Sequence, residues 1–306
     1  MQTKTKEIVI VSGKGGTGKT SISAALTSLL QGQVVIADCD VDAANLHILL
    51  QPKIQTEQPF KAGYQAKIRQ SECTGCGLCA QKCRFEAIIH RQDDSFQVDP
   101  IFCEGCGVCV YFCPEKAIDF VQQECGKWML STTKYGPMAH AHLHIGAENS
   151  GKLVSLVRRQ AKELAQQNAK EYVLVDGPPG IGCPVIAALT GADVAVIVVE
   201  PTLSGLHDLQ RIFRLIKHFK LPAGIIVNKW DLNPALTTQI KDFTTKHQES
   251  FLGQIPYHQD FATALAELTP ITEYKPEYQD TFADILRQIL DLANSKNKSK
   301  ITIGRL

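Results

Sequence analysis

The stretch Gly13-Lys14-Gly15-Gly16-Thr17-Gly18-Lys19-Thr20 decides how the 306-residue chain is read. It matches G-x-x-x-x-G-K-[ST], and it lies between an apolar β-branched run, Glu7–Ser12 (EIVIVS), and a predicted helix over Thr20–Leu30. That is the strand–loop–helix context a phosphate-binding loop needs. The glycines let backbone N–H groups approach phosphate oxygens, and the following helix N-terminus adds a favourable dipole. In this pattern Lys19 reaches the β- and γ-phosphates and the Thr20 hydroxyl ligates Mg²⁺.

Working outward, strand and helix patterns alternate on both sides of the loop. Val34–Ala37, Tyr172–Val175, Val194–Val199 and Gly224–Val227 read as buried strands, the first ending in Asp38, the second in Asp176 and the last in Asn228. Residues 43–50, 151–167, 203–219, 236–248 and 281–294 read as helices. Residues 52–60 read as irregular. Such alternation predicts an α/β fold, a P-loop NTPase with a mostly parallel sheet and helices on both faces.

The pattern is interrupted from about residue 64 to 121, where Cys and Gly dominate. Cys73-x-x-Cys76-x-x-Cys79-x-x-x-Cys83 is followed thirty residues later by Cys103-x-x-Cys106-x-x-Cys109-x-x-x-Cys113-Pro114. Each run is followed by a short apolar segment, so the region is an internal duplication. Four-cysteine zinc sites usually come as two separated C-x-x-C pairs, whereas two consecutive runs of this spacing suit two [4Fe–4S] clusters. The fourth cysteine of each run is expected to cross to the other cluster. One set is then Cys73, Cys76, Cys79 and Cys113, and the other Cys103, Cys106, Cys109 and Cys83. The expected organisation is an ATPase domain over 1–63 and 122–294, an inserted α+β bacterial-type ferredoxin-like domain over 64–121, and a polar tail over 295–306.

Bulk composition narrows the classes further. A net charge of +1 with 21% charged residues advertises neither a nucleic acid nor a membrane partner. The start MQTKTKEIVIV has no signal-peptide layout, and no apolar stretch reaches membrane-spanning length without charges. With eight of the 11 cysteines in ligand runs, a reducing cytoplasm is the expected compartment.

The extra Lys14 gives KGGTGKT, which resembles the deviant P-loop of the MinD/ParA/Mrp and nitrogenase iron-protein superfamily. Ile36–Asp42 resembles its switch I and Val175–Gly180 its Walker B and switch II segment. The resemblance implies an Mg²⁺-dependent ATPase binding ATP or ADP between two subunits, as a homodimer or with a related ATPase. It implies that Lys14 reaches across to the partner's phosphates and that Asp40 positions the attacking water. It also implies Asp38 as an outer-shell Mg²⁺ group, Asp176 near Mg²⁺, and Gly180 sensing the γ-phosphate through its N–H. Asn228 matches the adenine-reading position, and the Gly253–Tyr257 loop containing Pro256 resembles the segment that closes over the base. The NKWD string over Asn228–Asp231 also resembles a guanine-specificity motif; the deviant loop favours ATP.

Further features lie outside these motifs. Cys183, seven residues after Asp176, is either a residue packed at a helix start, the preferred reading, or a thiolate at a dimer interface that binds a further cluster or metal. Cys39 reads as a small buried residue, and Cys125 as a candidate companion of Cys183. His140, His142 and His144 alternate, so on a strand they share one face, either a metal site or, the preferred reading, a half-exposed sheet edge. Residues 146–152 read as a helix start capped by Asn149 or Ser150.

For the chain as a whole the expectation is an ATPase whose nucleotide state gates electron transfer through two clusters to a redox partner. An iron–sulfur assembly or carrier ATPase is the alternative, weakened because no cysteine follows Cys183. A MinD/ParA-like switch with redox-sensing clusters is another, though no membrane-binding C-terminal amphipathic helix is evident.

Overall fold

The structure is a computed structural model that describes residues 5–144, 146, 147 and 149–301. The chain begins with β1 (Lys6–Ser12), α1 (Lys19–Leu29), β2 (Val34–Asp38), α2 (Leu46–Leu50) and β3 (Lys53–Ile68). The cysteine-rich region holds α3 (Leu78–Lys82), β4 (Ile88–His90), β5 (Phe96–Val98) and α4 (Val108–Phe112). Next come β6 (Ile118–Thr132), β7 (Pro137–Leu143), α5 (Ser150–Gln167), β8 (Tyr172–Pro179), α6 (Cys183–Leu189) and β9 (Val194–Val199). The chain continues with α7 (Leu203–His218), β10 (Ala223–Asn228), α8 (Pro234–Lys246), β11 (Ser250–Ile255), α9 (Gln259–Ala266), α10 (Ile271–Tyr274) and α11 (Gln279–Ile301).

Two compact units emerge. The first comprises Met1–Gln58, Lys127–Ile145 and Ser150–Leu306, and the second Pro59–Gly126 with Gly146–Asn149. The long strands β3 and β6 each have residues in both.

In the first unit the sheet runs β11-β10-β9-β1-β8-β2-β7 and continues through β6 and β3. Pairing is parallel from β11 through β7. Every residue of β1 and β2 is buried, as expected of parallel strands covered on both faces. Ile8 and Ile10 share one core cluster with Leu26 of α1, Ile271 of α10 and Phe282, Ile285 and Ile289 of α11. α5 is fastened by a buried ion pair: Arg158 Nε donates to Glu7 Oε1 at 2.7 Å, and its Nη1 donates to the Thr190 carbonyl at 2.9 Å. Lys162 adds a second cation 2.7 Å from Glu7 Oε2.

The second unit is built from the duplication. Each segment leading into a cysteine run pairs with the segment leaving the other run: Arg69 N–H donates to the Ala117 carbonyl at 2.8 Å and Asp99 N–H to the Ala87 carbonyl at 2.7 Å. This exchange carries the fourth cysteine of each run towards the other half. β4 and β5 form a separate antiparallel pair, with Ile88 opposite Val98. The loop glycines are required by sterics, since a Cβ on Gly105, at φ 59°, would stand 2.0 Å from the Tyr64 carbonyl oxygen.

Several sequence expectations are corrected. Residues 53–60, read as irregular, belong to β3, and β11 takes in the first part of the Gly253–Tyr257 segment read as a loop; α9 lies where no element was expected. β7 is not a sheet edge, because it lies between β2 and β6. His140 is accordingly buried, its Nε2 2.8 Å from Ser131 Oγ, while His142 is exposed. The helix read to residue 294 continues to Ile301, so the expected loose tail is helical there; residues 302–306 lie outside the described residues, as does Glu148 of the helix-start reading.

Candidate functional site

The loop Gly13–Gly18 leaves the carboxyl end of central strand β1, where open α/β sheets bind ligands. Gly18 sits at φ 86°, a left-handed turn that aims the start of α1 at the loop, and Lys19, the first residue of α1, is buried. Its ammonium lies 3.6 Å from Asp40 Oδ2. Thr20 Oγ1 donates to Asp176 Oδ2 at 2.8 Å and Ser23 Oγ to Asp176 Oδ1 at 2.8 Å. The ladder register sets Asp38 of β2 beside Asp176 of β8. Asp176 lies inside its strand rather than at the end, because β8 extends to Pro179.

Three carboxylates therefore crowd one buried place. Burial, then Asp176 and Asp40, push the Asp38 carboxyl well above its ordinary range. Burial also raises Asp40 and Asp176, and Lys19 opposes the shift in both. Asp38 Oδ2 and Thr17 Oγ1 are buried without a protein partner. An excess of buried negative charge with an unpaired carboxylate oxygen is suited to a hydrated divalent cation. These residues fit Mg²⁺ and a nucleotide phosphate chain.

Neighbouring strands brace the loop. Asn228 at the end of β10 donates from Nδ2 to the Thr17 carbonyl at 2.8 Å, and Lys229 Nζ reaches the Gly16 carbonyl at 3.3 Å. Asp231 Oδ1 accepts from Tyr257 N–H at 2.7 Å, tying the NKWD segment to the chain just after Pro256. Gly180 donates its N–H to the Ser12 carbonyl at 2.8 Å, so that group is engaged here. Lys14 points to Glu200: its Nζ lies 3.3 Å from Oε2, within reach of Thr202 Oγ1 at 3.3 Å and Ser204 Oγ at 3.4 Å. Lys229 pairs with the other Glu200 oxygen. Sequence reading missed Ser23, Glu200, Thr202 and Lys229. The available signal was an acid directly after the all-apolar strand VAVIVV, followed by Thr202, which caps α7 by accepting from Gly205 N–H at 2.9 Å.

In the second unit the eight run cysteines sort into two cavities. Cys73, Cys76, Cys79 and Cys113 line one of about 350 Å³, counted to its open mouth. Cys83, Cys103, Cys106 and Cys109 line the other, of about 360 Å³. Among the described residues, no three or more His, Cys, Asp or Glu side chains close on a single-ion site. Four thiols spread around a void rather than gathered on a point suit a polynuclear cluster better than zinc. Burial raises the thiol pKa of Cys79, and that of Cys109 to about 11, so an electrophilic group would be needed to keep them as thiolates.

The remaining cysteines divide. Cys39 is fully buried, with burial raising its pKa. Cys125 is buried, its Sγ donating to the Ala62 carbonyl at 3.0 Å. Cys183 is exposed at the first position of α6, which overturns the packed reading.

Residues 8–271 match the CobQ/CobB/MinD/ParA nucleotide binding domain family. The uncharacterized protein MJ0578 of Methanocaldococcus jannaschii is 34% identical over 231 residues, covering 74% of this chain and 79% of that protein. The septum site-determining protein MinD of Bacillus subtilis is 24% identical over 231 residues, covering 72% of this chain and 64% of that one. The fold is similar to MinD complexed with Mg-ADP from Pyrococcus horikoshii, with a TM-score of 0.57 at 20% identity over 95% of this chain and 98% of that one. No helix among the described residues is long and apolar enough to cross a membrane. The phosphate loop, the buried aspartates beside it and a match over residues 8–271 lead to one conclusion: the chain belongs to the CobQ/CobB/MinD/ParA nucleotide-binding family and is a MinD/ParA-like P-loop ATPase.

Proposed function

We propose that this ATPase carries two [4Fe–4S] clusters in a ferredoxin-like insertion, and that its nucleotide state gates electron transfer through them to a redox partner. The observation that carries the reading is the sorting of eight cysteines into two four-thiol cavities in a chain that is also a P-loop ATPase. Cys73, Cys76, Cys79 and Cys113 would hold one cluster, and Cys103, Cys106, Cys109 and Cys83 the other. Each cluster, when bound, supplies reversible one-electron chemistry.

The chain's residues would divide the nucleotide work by position and charge, with no covalent step. Lys19 turns from Asp40 to the β- and γ-phosphates, which frees Asp40 to orient a water. Thr20, with Asp38 and Asp176 behind it, would hold Mg²⁺, which would supply positive charge to offset that of the phosphates. Asn228 fixes the loop through Thr17 and stands at the base-reading position, with Pro256 closing over the base. Lys14 leaves Glu200 to reach the phosphates of a second subunit, this chain or a related ATPase, and Gly180 exchanges Ser12 for the γ-phosphate. The exposed Cys183 is the candidate thiolate at that interface.

The test is an anaerobic EPR redox titration, repeated with ADP and with a non-hydrolysable ATP analogue. A cluster potential that moves with nucleotide supports coupling, and linkage then requires redox state to alter nucleotide affinity in return. Unmoved potentials overturn the gating, and the absence of cluster signals overturns the iron–sulfur part. The likeness to a septum site-determining protein favours a second reading, a spatial switch with redox-sensing clusters. ATP-dependent co-sedimentation with lipid vesicles would select it.

A further inference from the structure

The Lys14 ammonium is held by three oxygens: Glu200 Oε2 at 3.3 Å, Thr202 Oγ1 at 3.3 Å and Ser204 Oγ at 3.4 Å. Lys229 engages the other oxygen of Glu200, so Oε2 is left facing Lys14. Beside these groups lies a cavity of about 200 Å³, counted to its open mouth. Gly13, Lys14 and Thr17 of the phosphate loop line it, with Glu200 after β9 and Asp208 of α7. Asp208 packs on the loop itself, since a Cβ on Gly13 would stand 2.3 Å from Asp208 Cβ.

Two groups in this cavity lack a close partner. The cations of Asp208 are distant, Arg211 Nη1 at 3.9 Å and His207 Nδ1 at 3.7 Å, and both face Oδ1. Thr17 is 2% exposed, and its Oγ1 has no hydrogen-bond partner. A buried hydroxyl left unpaired costs free energy unless something polar fills the space beside it. The positive end of α7 opposes a cation here, and the two carboxylates outweigh it for the ammonium already held. An ammonium ringed by oxygens is a compact point charge, and K⁺ carries the same charge at nearly the same size.

We infer that this place is a monovalent-cation site, filled by Lys14 in the lone chain and by K⁺ once Lys14 leaves for a second copy. Glu200 Oε2, Thr202 Oγ1 and Ser204 Oγ hold the ion, with Thr17 and Asp208 on the cavity side. The site stands on this chain's residues alone, whereas the exchange rests on the proposed crossing of Lys14. Without a replacement, that crossing leaves Oε2 of a largely buried carboxylate uncompensated, beside a loop that has to hold an anionic nucleotide. A cation in its place removes this opposition and favours the assembled state.

Lys14→Ala empties the site and tests it without nucleotide. Thermal unfolding of the anaerobically purified chain is followed by circular dichroism in chloride salts of K⁺, NH₄⁺, Li⁺ or choline at one ionic strength. Lys14→Ala is expected to melt about 3 °C higher in K⁺ and NH₄⁺ than in Li⁺ or choline, the shift for a roughly tenfold excess of cation over Kd. The unsubstituted chain, its site filled, is expected to melt within about 1 °C in all four. Lys14→Ala/Glu200→Gln is expected to lose the K⁺ response. No K⁺ response in Lys14→Ala, an equal response in the unsubstituted chain, or a response that survives Glu200→Gln overturns the site. Should that double variant fail to fold, Lys14→Ala/Asp208→Asn is judged by the same outcomes. The exchange is read by sedimentation velocity of the unsubstituted chain with a non-hydrolysable ATP analogue. Self-association is expected to be at least about threefold tighter in K⁺ than in choline, and Asp208→Asn to lose that difference. Equal association in both salts overturns the exchange. A chain that stays monomeric in both overturns the crossing between copies and the exchange with it, while the melting of Lys14→Ala still decides the site.

Discussion

Glu200 holds Lys14: the ammonium sits 3.3 Å from Oε2, inside one chain and directed back towards α7. A lysine that is to reach another subunit's phosphates must first leave this carboxylate, so the pair opposes assembly. Lys14 is 32% exposed, which limits the interaction to about 1 kcal/mol after solvent screening. Glu200→Gln is therefore expected to strengthen self-association in a non-hydrolysable ATP analogue by up to roughly fivefold. Sedimentation velocity checks this, and unchanged or weaker association would discard the restraint. Since Glu200 also holds Lys229, the Lys229→Ala variant separates the two effects.

Arg158 and Glu7 make the tightest buried charge pair in the first unit, with Arg158 also bonded to the carbonyls at the end of α6. Removing one partner strands the other in the core. Arg158→Ala is expected to cost about 3–5 kcal/mol of unfolding free energy, measured by denaturant titration. A loss below about 1 kcal/mol would mean that Lys162 takes over the Glu7 carboxylate.

Cys113 belongs by sequence to the second run and by position to the cavity of the first. Cys113→Ser is expected to alter the EPR signal of the same cluster as Cys76→Ser, and Cys83→Ser that of the cluster altered by Cys106→Ser. If Cys113→Ser and Cys106→Ser instead altered one cluster, the crossed arrangement would be discarded. Nucleotide binding should survive all four substitutions.

His140, buried beside Ser131, is held at about pKa 4, first by burial and then by His47. Its folded value lies below the unfolded value of about 6.5, so the unfolded chain takes up the proton first. Stability from the neutral imidazole is complete above about pH 6.5 and falls as pH drops towards 4, by a total of about 3 kcal/mol. Comparing His140→Gln with the unsubstituted chain between pH 7 and 5 should show a flatter pH slope in the variant. Equal slopes would show that His140 does not titrate in this way.

Sequence alone determined the parts of this protein whose chemistry is local. The spacing of Gly13, Gly18, Lys19 and Thr20 specifies a phosphate loop because a few adjacent backbone N–H groups and one side chain do that work. The spacing of Cys73 to Cys83 and Cys103 to Cys113 specifies thiols on short tight loops for the same reason, and the duplication was visible as a thirty-residue offset. All-buried strands such as Lys6–Ser12 and Val194–Val199 were legible because their apolar runs need no partner to be recognised. What required tertiary structure was every relation between segments distant in sequence. β3 is mostly exposed and β6 mixes buried and exposed positions without strict alternation, so the extension of these long strands is fixed by sheet pairing rather than by periodicity. Glu200 meets Lys14 because β9 lies beside β1 in the sheet. Asp38 and Asp176 share a site because β2 and β8 pair in register, and Cys113 reaches the other run because Arg69 and Asp99 exchange backbone bonds across the duplication. Only the packed fold sets such distances, since no single segment contains both partners.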